Sequence, residues 1–391
     1  MPIPARVATH RSQLLYFGPR TVELMLTTGC NLRCAYCYQK RDASRTMEPK
    51  VLDAAIRQLV SSRYDRPWLT LFGGEPLLTA PLVRQALDRV RQWAPPRMRP
   101  DIHIVTNGIR LDEEMTRLLV SRDVFITLSF DGVPPAQSGR SPGSFDLLDR
   151  LLVRLRRSYP KHFRERLAVK TTLTSRNVPF LSDSFRYFLS RGIRDVDLYP
   201  VLPDDAAWNA RSRRDLGRQL ADVVRLSVVE FRRSGQVPFR VFRGATSAPP
   251  ATGTRACDCA GRSHLFVDVD GTLAPCSLLV PSTLGSRPTV LRSLVRTLGG
   301  LHVADPDLRA ALVRRETRAR RLPFLAGMED RQGPHGACAT CKARFTCFVC
   351  PVAVACNGGR VPAFHCDVNR LFARHRAAFH RRLKGLRVRR F

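Results

Sequence analysis

The stretch Thr21-Val-Glu-Leu-Met-Leu-Thr-Thr-Gly-Cys30-Asn-Leu-Arg-Cys34-Ala-Tyr-Cys37 decides how the chain is read. Residues 21–28 form a β-strand candidate, and three cysteines spaced C-x3-C-x2-C follow at once in a loop. Three thiolates so close in sequence can share one metal centre. A cubane 4Fe-4S cluster held by three cysteines keeps one iron open to an exogenous ligand, whereas a zinc site lacking its fourth protein ligand is the competing reading.

Outward from this strand the same pattern repeats. Further strand candidates are 68–73, 102–106, 124–131, 167–174 and 195–202, each followed by a segment of helical period. In 82–93 the apolar positions are Leu82, Val83, Ala86, Leu87 and Val90; in 144–157 they include Phe145, Leu148, Leu151, Leu152 and Leu155. No hairpin signal joins any two strands. Six β-α units in succession imply an α/β fold of parallel strands with right-handed crossovers, met by either a doubly wound sheet or a partial barrel.

Residues 235–256, with Gly235, Pro238, Gly244, Pro249, Pro250 and Gly253, break the periodicity and read as a linker or irregular connection. The expected division is therefore 1–235, a linker at 236–256, and 257–391. Nine of the twelve cysteines lie in the last part, which shows little continuous strand pattern, as expected where metal sites help to organise the chain. A basic helical segment at about 305–322 separates its cysteine groups. Residues 367–384 carry Val368, Leu371, Phe372, Phe379 and Leu383 on one face and arginines on the other, predicting a docked terminal helix.

Composition narrows the class. The 391 residues are 44% hydrophobic, too apolar for a disordered chain and long enough to bury a core without disulfide staples. Neither a signal-peptide stretch near the amino terminus nor an apolar run of membrane-spanning length is present, so a cytoplasmic location is expected. In a reducing compartment twelve cysteines point to metal or redox chemistry. The 65 Lys+Arg against 33 Asp+Glu give +32, almost all from arginine, which favours an acidic partner or simply a solvated surface.

The loop Cys30-Asn-Leu-Arg-Cys34-Ala-Tyr-Cys37, with Tyr36 before its third cysteine, resembles the cluster loop of radical S-adenosylmethionine (radical SAM) enzymes. Gly73-Gly74-Glu75-Pro76, closing the second strand candidate, is similar to that family's GGEP motif, whose backbone and glutamate bind the methionyl amino group. Thr106-Asn107-Gly108 and Ser129-Phe130-Asp131-Gly132 close the third and fourth strands. The resemblance gives cofactor-binding roles to Tyr36, Gly73, Gly74, Glu75, Pro76 and Asn107, and ribose or carboxylate contacts to Ser129 and Arg140. It implies a partial (β/α)6 barrel in which Cys30, Cys34 and Cys37 hold the cluster that cleaves S-adenosylmethionine to a 5′-deoxyadenosyl radical.

The remaining cysteines follow Cys257-x-Cys259, Gly271-x4-Cys276 and Cys338-x2-Cys341-x5-Cys347-x2-Cys350-x5-Cys356-x9-Cys366. By themselves they suffice for two four-thiolate sites with one cysteine over, of zinc or iron-sulfur type. The arrangement resembles the SPASM extension of radical SAM enzymes, a mostly irregular domain with two auxiliary 4Fe-4S clusters. By that resemblance Cys257, Cys259, Cys276 and Cys350 hold the first, and Cys338, Cys341, Cys347 and Cys366 the second. The gap before Cys350 is two residues where the family usually has three, so Cys356 competes with Cys350; Cys257 and Cys259 are also unusually close.

SPASM enzymes most often act on peptides or proteins, so the resemblance implies a peptide or protein substrate and a reducing donor such as flavodoxin or ferredoxin. The expected SPASM sulfatase-maturing aspartate after the G-x4-C cysteine is replaced here by Ser277, which counts against a sulfatase substrate. With Cys30 so early, the sequence leaves no room for an amino-terminal leader-binding domain, and a separate leader-binding protein or the basic surfaces at 309–321 and 374–390 would serve instead. The alternatives are modification of a small-molecule metabolite and a metal-containing nucleic-acid-binding protein. GGEP after a strand has no role in the latter.

Overall fold

A computed structural model describes residues 18–39, 44–243, 263–284, 289–319 and 332–384. The strands are β1 (Thr21–Met25), β2 (Trp68–Phe72), β3 (Asp101–Thr106), β4 (Phe125–Ser129), β5 (Leu167–Leu173), β6 (Val196–Pro200), β7 (His264–Val267), β8 (Thr272–Ala274) and β9 (Leu301–His302). The helices of eight residues or more are α1 (Pro49–Val60), α2 (Ala80–Trp93), α3 (Glu113–Ser121), α4 (Ser144–Ser158), α5 (Leu181–Ser190), α6 (Ala210–Ser234), α7 (Thr289–Leu298), α8 (Leu308–Ala319) and α9 (Ala363–Leu383). The six strand candidates are all found, each within a few residues of its expected ends.

Packing divides the described residues into two compact units interleaved along the chain, one drawn from 1–30, 39–104 and 258–323, the other from 31–38, 105–257 and 324–391. In the first unit β1 lies between β2 and β7, parallel to both, with Thr21 opposite Trp68 on one side and His264 on the other. Val22 and Leu24 are wholly buried, as expected of a central strand, while Glu23 accepts a 2.6 Å contact from His264 Nε2. β2 pairs parallel with β3, and β8 pairs antiparallel with both β7 and β9. The sequence offers no strand candidate beyond residue 202. The reason is physical: β7 is four residues long, and its parallel pairing to β1 leaves no local turn signal.

In the second unit β4, β5 and β6 pair in parallel, Ser129 standing opposite Lys170 and Thr172 opposite Tyr199. Their helices start and stop where the side chains dictate. Asp112 caps α3 by accepting the Met115 N–H at 2.8 Å, and Asn209 caps α6 through the Arg211 and Ser212 N–H groups. Gly235 ends α6 in the left-handed conformation, φ 69°. Of the expected linker, residues 235–243 are described and carry the buried rings Phe239 and Phe242; Phe242 stacks on Phe379 of α9 at 5.3 Å. Residues 244–256 lie outside the described residues, as do Cys257 and Cys259.

Candidate active site

The first unit supplies the stem of the cysteine loop. Thr28 N–H donates to Arg45 O, and the Thr27 hydroxyl donates to the same carbonyl at 2.8 Å, fixing the chain just before Cys30. Gly73-Gly74-Glu75 leaves β2 against this stem: Gly74 N–H donates to Thr27 O and Glu75 N–H to Gly29 O, both at 2.8 Å. A β-carbon on Gly73 would stand 2.4 Å from Thr27 O, and one on Gly74 only 2.1 Å from Gly29 O. No side chain fits there, so glycine is demanded by backbone meeting backbone. Glu75 is buried, with Oε1 accepting the Leu77 N–H at 3.1 Å; Gln39 Nε2 donates to Gly73 O at 3.2 Å.

The second unit holds the rest of the loop. Ala35 N–H donates to Gly139 O at 2.8 Å, Cys37 N–H to Cys34 O at 3.1 Å, and Asn107 Nδ2 to Asn31 Oδ1 at 2.8 Å. Asn107 thus ties the loop to the end of β3. The residue that organises this region is Asp131, which the sequence presents only as part of a turn. Its fully buried carboxylate accepts from Arg140 Nη2 and from the Thr172 N–H, both at 2.9 Å, and from the Tyr36 hydroxyl. Arg140 also lies over the Tyr36 ring, 5.4 Å from its centroid. Ser129, the last residue of β4, is half-buried.

The electrostatics follow from burial. Desolvation pushes the Tyr36 phenol far above its ordinary range, and the neighbouring Asp131 carboxylate acts the same way. For Arg140 burial disfavours the charge, but Asp131, Tyr36 and Cys34 more than offset it, so the guanidinium stays charged. One atom is left over: Arg140 Nε is buried without a hydrogen-bond partner among the described residues. A buried donor beside Cys34 fits a bound group that carries an anionic acceptor.

Three of the carboxy-terminal cysteines share one small core. Cys338, Cys347 and Cys366 pack on a small buried cluster of Val349, Val354 and Val361. Cys341 N–H donates to Cys338 O at 3.1 Å. Burial pushes the Cys366 thiol up to about 11, and the charges of Asp367, Cys341 and Cys338 push the same way against Arg370. Thiols drawn together in this way suit a cationic iron-sulfur core, which removes their mutual repulsion. Cys276 starts the turn Ser277–Leu279; Cys350 and Cys356 stand at opposite ends of the short helix Pro351–Cys356, both half-buried. Among the described residues no three His, Cys, Asp or Glu side chains converge on a single metal ion.

Tyr199 packs between Lys170, whose Nζ lies 4.7 Å from its ring centroid, and the edge of Phe348. His365 is buried, its Nε2 2.7 Å from Pro203 O, and burial lowers its pKa, as suits a packing residue.

The profile of the Radical SAM superfamily matches residues 24–175, from β1 to the end of β5. Residues 24–175 thus carry a Radical SAM domain. An uncharacterized protein of Methanocaldococcus jannaschii is 24% identical over 48% of this chain, which spans 64% of that protein's length. The cysteine-type anaerobic sulfatase-maturating enzyme of Clostridium perfringens is 20% identical over 65% of this chain and 73% of its own. In structure, anSMEcpe with bound AdoMet and Kp18Cys peptide aligns with 94% of this chain and 100% of its own at TM-score 0.70 and 16% identity, showing a shared radical SAM/SPASM fold. That shared fold extends over the parallel strands and the cysteine-rich carboxy-terminal region alike. A Radical SAM domain implies a 4Fe-4S cluster and S-adenosylmethionine. Among the described residues no helix is long and apolar enough to cross a membrane.

Proposed function

We propose that the protein is a peptide- or protein-modifying radical SAM enzyme whose reaction begins with hydrogen abstraction from its substrate. When bound, S-adenosylmethionine and the reduced cluster supply a 5′-deoxyadenosyl radical. The observation that carries the reading is the Asp131, Arg140 and Tyr36 group, with its unpartnered Arg140 Nε beside Cys34. In this reading Cys30, Cys34 and Cys37 hold the cluster. The backbone of Gly73, Gly74 and Pro76 lines the methionyl site, and Glu75 offers its carboxylate to the ammonium group. Arg140 Nε takes an anionic oxygen of the cofactor, while Tyr36, Asn107 and Ser129 shape and orient the site. Burial of Asp131 and Arg140 keeps water from these contacts.

Two auxiliary clusters complete the proposal. Cys338, Cys341, Cys347 and Cys366 hold one; Cys257, Cys259 and Cys276 hold the other with Cys350, for which Cys356 competes. Full thiolate ligation gives these centres an electron-transfer role, supplied by a flavodoxin or ferredoxin. The peptide or protein class of substrate is supported by the bound peptide in the structural relative. The proposed domains are 1–235 and 257–391, and the proposed location is the cytoplasm.

Anaerobic reconstitution should give about twelve irons per chain for three cubanes, and dithionite should then release 5′-deoxyadenosine from S-adenosylmethionine. Zinc in place of iron, or no cleavage by fully loaded protein, would overturn the reading. A ribosomal peptide encoded beside the gene should accelerate turnover and change in mass; acceleration by a metabolite alone would overturn the substrate class.

A further inference from the structure

Within the second unit a cleft of about 1360 Å³ runs between α6 and α9, with Cys338, Cys341 and Cys366 among its lining residues. A smaller hollow of about 210 Å³ continues it along α9 to Arg381 and Arg382, sharing Ala221, Arg374 and His375 with the larger one. Its floor is small and apolar: Gly217 faces Leu371, and Ala221, Ala373 and Ala377 line the same length. Cations line the walls. Arg214, Lys342, Arg370, Arg374, Arg381 and Arg382 have no ion-pair partner among the described residues. The carboxylate lining the cleft, Asp367, is already engaged by Trp208 Nε1 at 3.1 Å, His335 at 2.8 Å and Arg213 at 3.9 Å.

We propose that this groove binds an acidic segment of the peptide substrate in extended form, an inference that rests on the peptide reading above. Six uncompensated cations around one cleft repel one another and attract a polyanion. The shape selects which polyanion. From Cys366 to Arg382 is about 24 Å along a helix, the reach of roughly seven extended residues. Apart from His335 and His375 the lining carries no aromatic ring on which a base could stack, against single-stranded nucleic acid. A cleft lined by glycine and alanine between two helices leaves room for a strand of chain. Carboxylates on one side of an extended peptide would meet the arginines while short apolar side chains lie on the floor.

The test uses the full chain with its clusters reconstituted and a fluorescein-labelled eight-residue peptide of alternating Glu and Ala, followed by anisotropy at low salt. Alternating Gln-Ala and Lys-Ala peptides serve as controls. The Glu-Ala peptide should bind at least tenfold more tightly than either, and the combined variant Arg214→Glu, Arg374→Glu, Arg381→Glu, set away from the cysteines, should weaken it at least tenfold. The matching variant with lysine at the three positions should bind normally, and unchanged iron content in both checks that they fold. Equal binding of Glu-Ala and Gln-Ala, or no effect of charge reversal, would overturn the proposal. So would tighter binding of a ten-residue oligothymidylate, or a reversal that slows cluster reduction by an acidic flavodoxin while sparing the peptide. If a peptide is modified with unchanged KM by the reversed variant, the groove fails and the substrate reading stands. If no peptide is ever modified but Glu-Ala binding is lost on reversal, the substrate reading fails and the acidic-peptide groove stands.

Discussion

The loop bearing Cys34, Tyr36 and Cys37 and the segment bearing Cys338, Cys341, Cys347 and Cys366 both gather thiols, but different forces hold them. The first is anchored to the segments that follow β3 and β4: Ala35 bonds Gly139, Asn31 bonds Asn107, and Tyr36 closes on the buried Asp131–Arg140 pair. The second is built of short turns, Cys338–Thr340 and Arg344–Thr346, and a two-residue hairpin pairing Gly333 with Gly336, resting on three valines and the start of α9. The contrast teaches that the first cysteine loop is preorganised by the polypeptide, whereas the carboxy-terminal segment, with the proposed auxiliary cluster, would draw much of its order from metal.

The largest effect expected is on the reaction. Cys34→Ala should remove about four irons per chain and lower 5′-deoxyadenosine formation at least a thousandfold, while the far-ultraviolet circular dichroism stays that of the parent, because strands rather than metal hold this loop. Collapse of the fold in that variant would break the contrast at once. Next comes Asp131→Ala, which strands a buried guanidinium. It should cost about 3–5 kcal/mol in urea unfolding, the usual penalty for removing one partner of a buried pair. A loss under about 1 kcal/mol would show that the pair does not carry the loop, since surface pairs contribute that little.

How much of this was legible follows the same division. The strands and the amphipathic faces of α2, α4 and α9 are local patterns and were read from the sequence. Asp131 was not: its importance comes from Tyr36, Arg140 and Thr172, brought to it from three other parts of the chain. The GGEP resemblance gives Gly73-Gly74 a cofactor-binding role, and the structure adds a reason that no local pattern shows: the backbone of Thr27 and Gly29 leaves no room for a side chain at either position. Strand β7 is too short and too far from β1 in sequence to announce itself. The choice between Cys350 and Cys356 stays open, because both are half-buried at the ends of one six-residue helix.

Removing iron tests the other side of the contrast. Chelation under oxidising conditions should speed amide hydrogen exchange in 332–366 at least tenfold and leave β4 and β5 nearly unchanged. Equal loss of protection in both would mean that the barrel strands also depend on metal.

The smallest effect separates the two regions by pH. His162, beside β5 in the helix Pro160–Glu165, is buried with Nε2 unpartnered among the described residues, and burial lowers its pKa below the ordinary 6.5. The folded state therefore resists protonation, while the unfolded chain takes up the proton as pH falls through about 6.5. Stability is fully present above that pH and declines below it until the folded imidazole also protonates, with a slope of at most about 1.4 kcal/mol per pH unit. His162→Gln should flatten this decline between about pH 6.5 and 5 in urea unfolding. The flattening should appear as altered exchange in β4 and β5 and not in 332–366, since His162 belongs to the strand-anchored region. An unchanged pH slope would show that the imidazole is not held neutral by burial.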